Sequence, residues 1–356
     1  MRILHIAPYN TAGVPVTFVK AERELGHHSR LLTLHHDGRG YQEDICLKLP
    51  LWQPEIVAKL KKICYPKPRL LQDTGLAQPR QIPPVWKPAN QLAGLLLNIR
   101  DRMTRPVIEG YIKKYQLDSF DVYQLDGGHG FLKNDDFIPK WHQAGKKVIC
   151  CYLGSDLRRR GVMPGIDKIS DLNLTLEWDH LKLHPNIRHV YFPFDFSGFS
   201  IVEPVRREKI RIGHSPTNRA AKGSERIIDA VNKLSQKYPV ELALIENLPY
   251  PRALELKATC DIGIDQLGKL GYGISALEWL AMGIPAASSI ASEMESDGIS
   301  HPIVPVNEQN IEERLEPLIN SRELRIKLGR EGRQWLEQNH DAQKIVKQIH
   351  QSAGLN

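Results

Sequence analysis

The chain has 356 residues, long enough for two domains of roughly 150–200 residues each. Its 41% apolar and 25% charged residues are an ordinary globular composition, which excludes a disordered or fibrous protein. The formal charge of +7 is unevenly placed: residues 41–115 hold thirteen Lys/Arg against six Asp/Glu, a surplus equal to the whole-chain value, so the remainder is neutral on balance.

In chain order, MRILHIAPYN lacks the apolar run of a signal peptide. No later stretch approaches the ~18 consecutive apolar residues of a membrane span. A soluble, cytoplasmic protein is expected, at most peripheral on the inner face of a membrane. The five cysteines (Cys46, Cys64, Cys150, Cys151, Cys260) contain no C-x-x-C pair, which disfavours a disulfide framework or zinc module and fits a reducing compartment. Residues 2–7 (RILHIA) read as a buried strand, followed by the loop PYNTAGVP, an amphipathic helix ending near Gly26, and a second strand at 29–34 (SRLLTL). That spacing begins a parallel βαβ sheet.

The basic segment 41–115 follows as an insertion. It holds nine of the 24 prolines, Trp52 and Trp86, and short apolar runs beside basic residues, IVAKLKKI (56–63) and LAGLLLNIRDR (92–102). Such a segment suits an anionic membrane surface or a solvated insertion with a few core-facing helices. It carries no recognised nucleic-acid motif, so no nucleic-acid partner is expected. Strands resume at 121–126 (DVYQLD) and 146–153 (KKVICCYL) around a helix at 136–144, and TLEWDH and HVYFPFD continue this half. The first domain is expected to span 1–205, ending at the polar link EPVRREK.

A second series spans 206–335. Strands are expected at 209–215, 240–246, 260–266 and 284–290, with helices at 224–238, 251–258 and 274–282 and a helical, charged tail from 311. Two βαβ halves joined by a short link predict a ligand cleft between them. No G-x-G-x-x-G follows the first strand, where Asn10-Thr11-Ala12-Gly13-Val14-Pro15 stands instead, and G-x-x-x-x-G-K-[ST] is absent. A dinucleotide dehydrogenase and a P-loop NTPase are therefore disfavoured.

Two segments carry chemistry. Leu270-Gly271-Tyr272-Gly273-Ile274-Ser275-Ala276-Leu277-Glu278 is a Gly-rich loop opening a helix, where free N–H groups favour phosphate oxygens. Glu278, about one turn in, has the carboxylate a ribose diol would hydrogen-bond. His214 to Gly223 (HSPTNRAAKG) follows another strand, and Arg219 and Lys222 are cations suited to a diphosphate leaving group. Both segments lie at the C-terminal ends of strands in one sheet, so they can converge on one ligand.

On these residues the chain resembles the retaining GT-B glycosyltransferases of the family 4 type, most closely over 209–290. The match there is a strand, a K-G loop, a helix and the pattern G-x-G-x-x-x-x-E-x-x-A-x-G-x-P. GREGRQWLEQNHDAQKIVKQIH (329–350) looks like the family's final helices, and Gly154-Ser155-Asp156-Leu157-Arg158 like its G-S-D-x-R turn. The resemblance implies two Rossmann-like domains facing across a cleft, with residues 336–356 returning to the first domain. It implies an NDP-sugar donor held mainly by the second domain and a glycan or lipid-linked acceptor held by the first. It also implies retention of configuration, no cofactor and no obligatory metal, and a role in polysaccharide or glycoconjugate biosynthesis. Carried over, Arg219 and Lys222 hold the diphosphate and Glu278 the ribose. Gly273, Ile274 and Ser275 supply backbone donors, and Gly13 flanks the diphosphate. His129 lies near the transferred sugar, and Asp126, Asp156 and Arg158 serve the acceptor.

The chain departs from the family where a glutamate eight positions before Glu278 is common: it has Leu270. Asp265, Gln266 and Lys269 are the neighbouring candidates to replace it. The Arg219-to-Lys222 spacing is also shorter than in many relatives. Leu270 motivates a rival reading, a catalytically silent GT-B partner or scaffold protein; a UDP-sugar 2-epimerase on the same fold is a further one. His27-His28 and His35-His36 have no Cys, Asp or Glu at ligand spacing and read as solvated ends, not metal ligands.

Overall fold

The computed structural model describes residues 1–38, 40–49, 80–203, 207–268 and 270–355. The run 56–63, Trp52, Cys64, Lys269 and the expected boundary at 205 lie outside them. The chain divides into two compact units, Met1–Pro193 with Ala342–Asn356, and Phe194–Asp341. The first crossing thus comes before residue 205, because residues 194–203 are tied to the second unit. The Phe194 N–H donates to the His340 carbonyl (2.8 Å), and the Val202 N–H to that of Met282 (2.9 Å). The return begins at Ala342 rather than 336. Helix Arg322–Asn339 belongs wholly to the second unit, where its Arg333 guanidinium donates to the carbonyls of Ala281 (2.6 Å) and Phe199 (3.2 Å).

The first unit is built on seven parallel strands: β1 (Arg2–Ala7), β2 (His28–Thr33), β3 (Ile45–Cys46), β4 (Val122–Asp126), β5 (Lys147–Tyr152), β6 (Leu172–Thr175) and β7 (Arg188–His189). Their spatial order is β3-β2-β1-β4-β5-β6-β7. The central strands are buried on both faces, which is why RILHIA and KVICCY read as near-continuous apolar runs. TLEWDH is a strand only through Thr175; Trp178–Lys182 turns away as a short helix. Among its described residues the insertion contributes the long helix Gln91–Tyr115, N-capped by the Asn90 side chain accepting from the Ala93 N–H (2.8 Å). Helix Ala342–Ser352 buries Ile345, Val346 and Ile349 and packs on helix Val14–Glu24, so the last helix does return to the first unit.

The second unit has five parallel strands, β8 (Ile210–His214), β9 (Val240–Leu244), β10 (Ile262–Ile264), β11 (Ala286–Ser288) and β12 (Val304–Pro305), in the order β12-β11-β10-β8-β9. Its core gathers Ile212, Ile227, Val231, Ile264, Ile311 and Leu315. The small residue Gly263 in β10 leaves room for the fully buried Trp279 indole, whose ring would meet any side chain added there. Each sheet reverses its strand order once, between β1 and β4 in the first and between β8 and β10 in the second. Loops leaving neighbouring strands in opposite directions open a crevice at the carboxyl edge, where α/β sheets bind ligands. Among the described residues no helix is long and apolar enough to cross a membrane.

Candidate functional site

At the β8/β10 reversal three polar residues lock the two strand ends together. His214, fully buried at the end of β8, has Nδ1 2.9 Å from the Ile264 carbonyl and Nε2 2.7 Å from the Ser224 hydroxyl. A carbonyl only accepts, so Nδ1 carries the proton and Nε2 of the neutral ring accepts from Ser224. Burial lowers the His214 pKa, which favours that neutral form. Just beyond β10, buried Asp265 accepts from Lys222 Nζ at Oδ1 (2.6 Å) and from the Gly273 N–H at Oδ2 (2.6 Å). Asp265 therefore positions both the lysine from the β8 loop and the start of helix Ile274–Ala281.

Lys222 keeps 18% of its side chain exposed beside that helix start, whose first N–H groups, on Ile274 and Ser275, have no intrahelical acceptor. An ammonium and a helix N-terminus together favour an anion. Gly273 sits close against both groups: a Cβ there would lie 3.2 Å from Lys222 Nζ and 3.4 Å from Asp265 Oδ2, a tight contact that asks Lys222 to shift. Glu278 follows one turn later but is only 5% exposed. Its Oε2 is ion-paired with Lys257, itself 2% exposed. The Lys257 ammonium also donates to Ser275 Oγ (2.7 Å) and stands 4.5 Å over the Trp279 ring. The Arg219 guanidinium is held by both oxygens of Glu246 (2.8 and 2.7 Å) and by Glu225 (3.0 Å), so its partners here are carboxylates of its own unit. Leu270 is 38% exposed. Of its expected stand-ins, Asp265 is taken by Lys222 and Gly273, and Gln266 donates to the Gly271 carbonyl.

In the first unit the β1/β4 reversal holds a buried imidazole between two carboxylates. His5 Nδ1 lies 2.9 Å from Asp126 Oδ2, and Nε2 lies 3.0 Å from Glu22 Oε2. Burial disfavours the charged ring, but Glu22 and Asp126 outweigh it and lift His5 to about 10. Burial likewise works against the Glu22 carboxylate, yet the facing His5 brings it down to about 2. Glu22 Oε1 also meets His350 Nε2 (3.3 Å) on the returning helix. Asp126 is 0% exposed and also accepts from Gln124 (2.9 Å), which corrects its assignment to the acceptor. It organises the sheet interior and presents no surface to a ligand.

The loop after β4 carries His129, half-buried, with Nδ1 donating to the Gly130 carbonyl (2.7 Å). Gly128 in that loop has φ +66°, and a Cβ there would lie 2.3 Å from the Tyr152 ring, so the turn admits only glycine. Gly13, with φ +73°, begins helix Val14–Glu24 at the end of β1. In the Gly154–Arg158 turn, Asp156 accepts the backbone N–H groups of Leu153 (2.8 Å), Gly154 (3.0 Å) and Leu157 (2.8 Å). Arg158 is held by both oxygens of Asp179 (2.8 and 2.6 Å) and by Glu177. Burial pushes Glu177 up to about 7 despite that arginine.

His5, Glu22 and Lys257 escaped the sequence reading, which named Asp265 only as a stand-in for a missing glutamate and His214 only as the start of a loop segment. The one available signal was a polar residue inside an apolar strand, as at His5 and His214. His36 is exposed, as expected, but the fold brings partners to it that local spacing did not offer: its Nδ1 bonds Glu43, and with Cys46 the ligand atoms lie within 4.8 Å of one another. Burial raises the Cys46 pKa.

No protein-family model matches the chain, and no curated protein matches it by sequence. Solved structures do match over the whole length. An α-glucosyltransferase in complex with UDP and a 13-mer DNA has a TM-score of 0.57 at 12% identity, over 99% of each chain. HepE from Anabaena in complex with UDP and glucose has a TM-score of 0.57 at 11% identity, over 99% of each chain. Sucrose-phosphate synthase from Thermosynechococcus elongatus has a TM-score of 0.58 at 12% identity, over 99% of this chain and 98% of that one. At such identity the likeness speaks to architecture, and with two parallel sheets carrying these strand orders the chain has the GT-B fold.

Proposed function

We propose that the chain is a glycosyltransferase that moves a sugar from a nucleoside-diphosphate sugar bound by the second unit to a glycan or lipid-linked acceptor bound by the first. The observation that carries this reading is Lys222, fixed by Asp265 beside the N-terminal N–H groups of helix Ile274–Ala281. A departing diphosphate gains negative charge, and a pre-positioned ammonium with helix amides stabilises that charge without reorganising. In this reading Lys222 acts without Arg219, whose own carboxylate partners occupy it. Ile274 and Ser275 supply amides, and Glu278, held by Lys257 at Oε2, is the carboxylate assigned to the ribose. His129 serves as a hydrogen-bonding side chain for the transferred sugar, and transfer proceeds with retention and without a metal. The α-glucosyltransferase and HepE structures hold UDP, which makes uridine the first base to test.

The test is a thermal-shift screen with UDP, GDP, ADP, TDP and their sugar conjugates in EDTA, on wild type and Lys222→Ala. A ligand at a hundred times its Kd adds about 2.7 kcal/mol, several degrees of Tm. A shift in wild type, reduced in Lys222→Ala with unchanged circular dichroism, is expected. No shift with any nucleotide, or an equal shift in the variant, rejects the site. Exposed Leu270, with Asp265 and Gln266 already engaged, favours one second reading, a silent GT-B partner protein. Nucleotide-sugar binding without hydrolysis or transfer to any acceptor would select it.

A further inference from the structure

Helix Gln91–Tyr115 has two apolar faces, and only one is packed. Ala93, Leu97, Thr104 and Ile108 are buried against the first unit. Leu92, Leu95, Leu96, Ile99, Met103 and Val107 are between 36% and 62% exposed. At about 100° per residue this second set covers an arc of roughly 120°, centred about 130° around the helix from the buried set. It runs for about 22 Å along the helix at 1.5 Å per residue. A helix facing only water carries polar residues there, so a continuous apolar stripe marks a contact surface.

The charges around the stripe identify the partner. Exposed Arg102 borders it, and exposed Lys113 and Lys114 stand at its C-terminal end. The acidic residues of the helix are neutralised: Asp101 is buried and paired with Arg100 (2.7 Å), and Glu109 pairs with Arg105 (3.5 Å). The face is thus apolar with a cationic rim. A second copy would bring the same cations against it, whereas an anionic lipid surface complements both features.

We propose that this face docks on an anionic membrane. The apolar side chains enter the boundary between headgroups and acyl chains, and Arg102, Lys113 and Lys114 meet lipid phosphates. The inference stands apart from the catalytic reading and is tested without nucleotide. The full-length chain is floated with phosphatidylcholine vesicles, with and without phosphatidylglycerol, across a salt series. Binding is expected only to the anionic vesicles and weakens with salt. Leu95→Glu with Ile99→Glu, at exposed positions that leave the packed face intact, lowers the bound fraction roughly tenfold with unchanged circular dichroism. Lys113→Glu with Lys114→Glu reduces binding and flattens the salt dependence. Absence of flotation at low salt, or flotation unaffected by the Leu95/Ile99 pair, overturns the proposal. So does a lipid-free dimer that the same pair dissolves, which would give the face to a second copy.

Discussion

Lys257→Met removes the charge that holds Glu278 inside the second unit while keeping the length of the side chain. The ammonium and the carboxylate are 3% and 6% exposed, so neither charge has water to fall back on. Breaking a buried pair at one end costs about 3–5 kcal/mol, because the remaining charge is stranded. Here Ser275 Oγ loses its donor as well, and the cation over Trp279 disappears. For a unit of this size the loss corresponds to a fall in Tm of roughly 6–20 °C. Glu278→Gln alone strands the lysine and is expected to cost a similar amount. The double variant Lys257→Met/Glu278→Gln removes both charges and is expected to recover most of the stability, since replacing a whole buried pair is often near neutral. Urea denaturation of the four proteins closes the cycle. Additive losses, or a Lys257→Met variant within about 1 kcal/mol of wild type, would refute the argument that the pair is a dry, mutually dependent unit. The same set reads function: the double variant should fold yet bind the nucleotide more weakly, because the carboxylate assigned to the ribose is gone.

The His5 cluster predicts a two-sided pH dependence. His5 is raised from 6.5 to about 10, so its contribution is complete below pH 6.5 and disappears as pH rises through 10. Glu22 is lowered from 4.5 to about 2, so its contribution is complete above pH 4.5 and disappears as pH falls through 2. Denaturant midpoints of wild type should therefore fall on both sides of pH 4.5–6.5 more steeply than those of His5→Asn, and matching profiles would discard the assignment. Gly273→Ala should keep the fold but weaken nucleotide binding, since the new Cβ at 3.2 Å from Nζ displaces Lys222. Equal thermal shifts with UDP in wild type and variant would show that Lys222 does not depend on that close approach.

Most of the scaffold was legible along the chain because parallel strands buried on both faces must be apolar. RILHIA, VYQLD, KVICCY and IRIGH each appear within a residue or two of where they were expected. The start of helix Ile274–Ala281 was equally clear, since Gly273 before an apolar helical run is a local signal. Short edge strands such as β3 and β12 were not, because two residues carry no periodicity and pair only when a neighbour is present. The long helix Gln91–Tyr115 was read only as an apolar run over 92–102, because its leucines mask the polar face that defines a helical period.

The site divides along the same line. Lys222, Ile274, Ser275 and Glu278 could be nominated from sequence because a glycine-rich loop and the helix it opens are contiguous. Whether a charged side chain is available, however, is set by partners far along the chain. Asp265 lies 43 residues from Lys222, Lys257 lies 21 from Glu278, and His5 lies 121 from Asp126. Local pattern therefore determined the two wound sheets, the loops at their carboxyl edges and the glycine-led helix start. Only the tertiary structure decided that Arg219 is engaged by Glu246, that Asp126 is sealed beneath His5, and that Glu278 stands only because Lys257 stands beside it. Charge pairing acts through space at a few ångströms, and sequence separation carries no record of it.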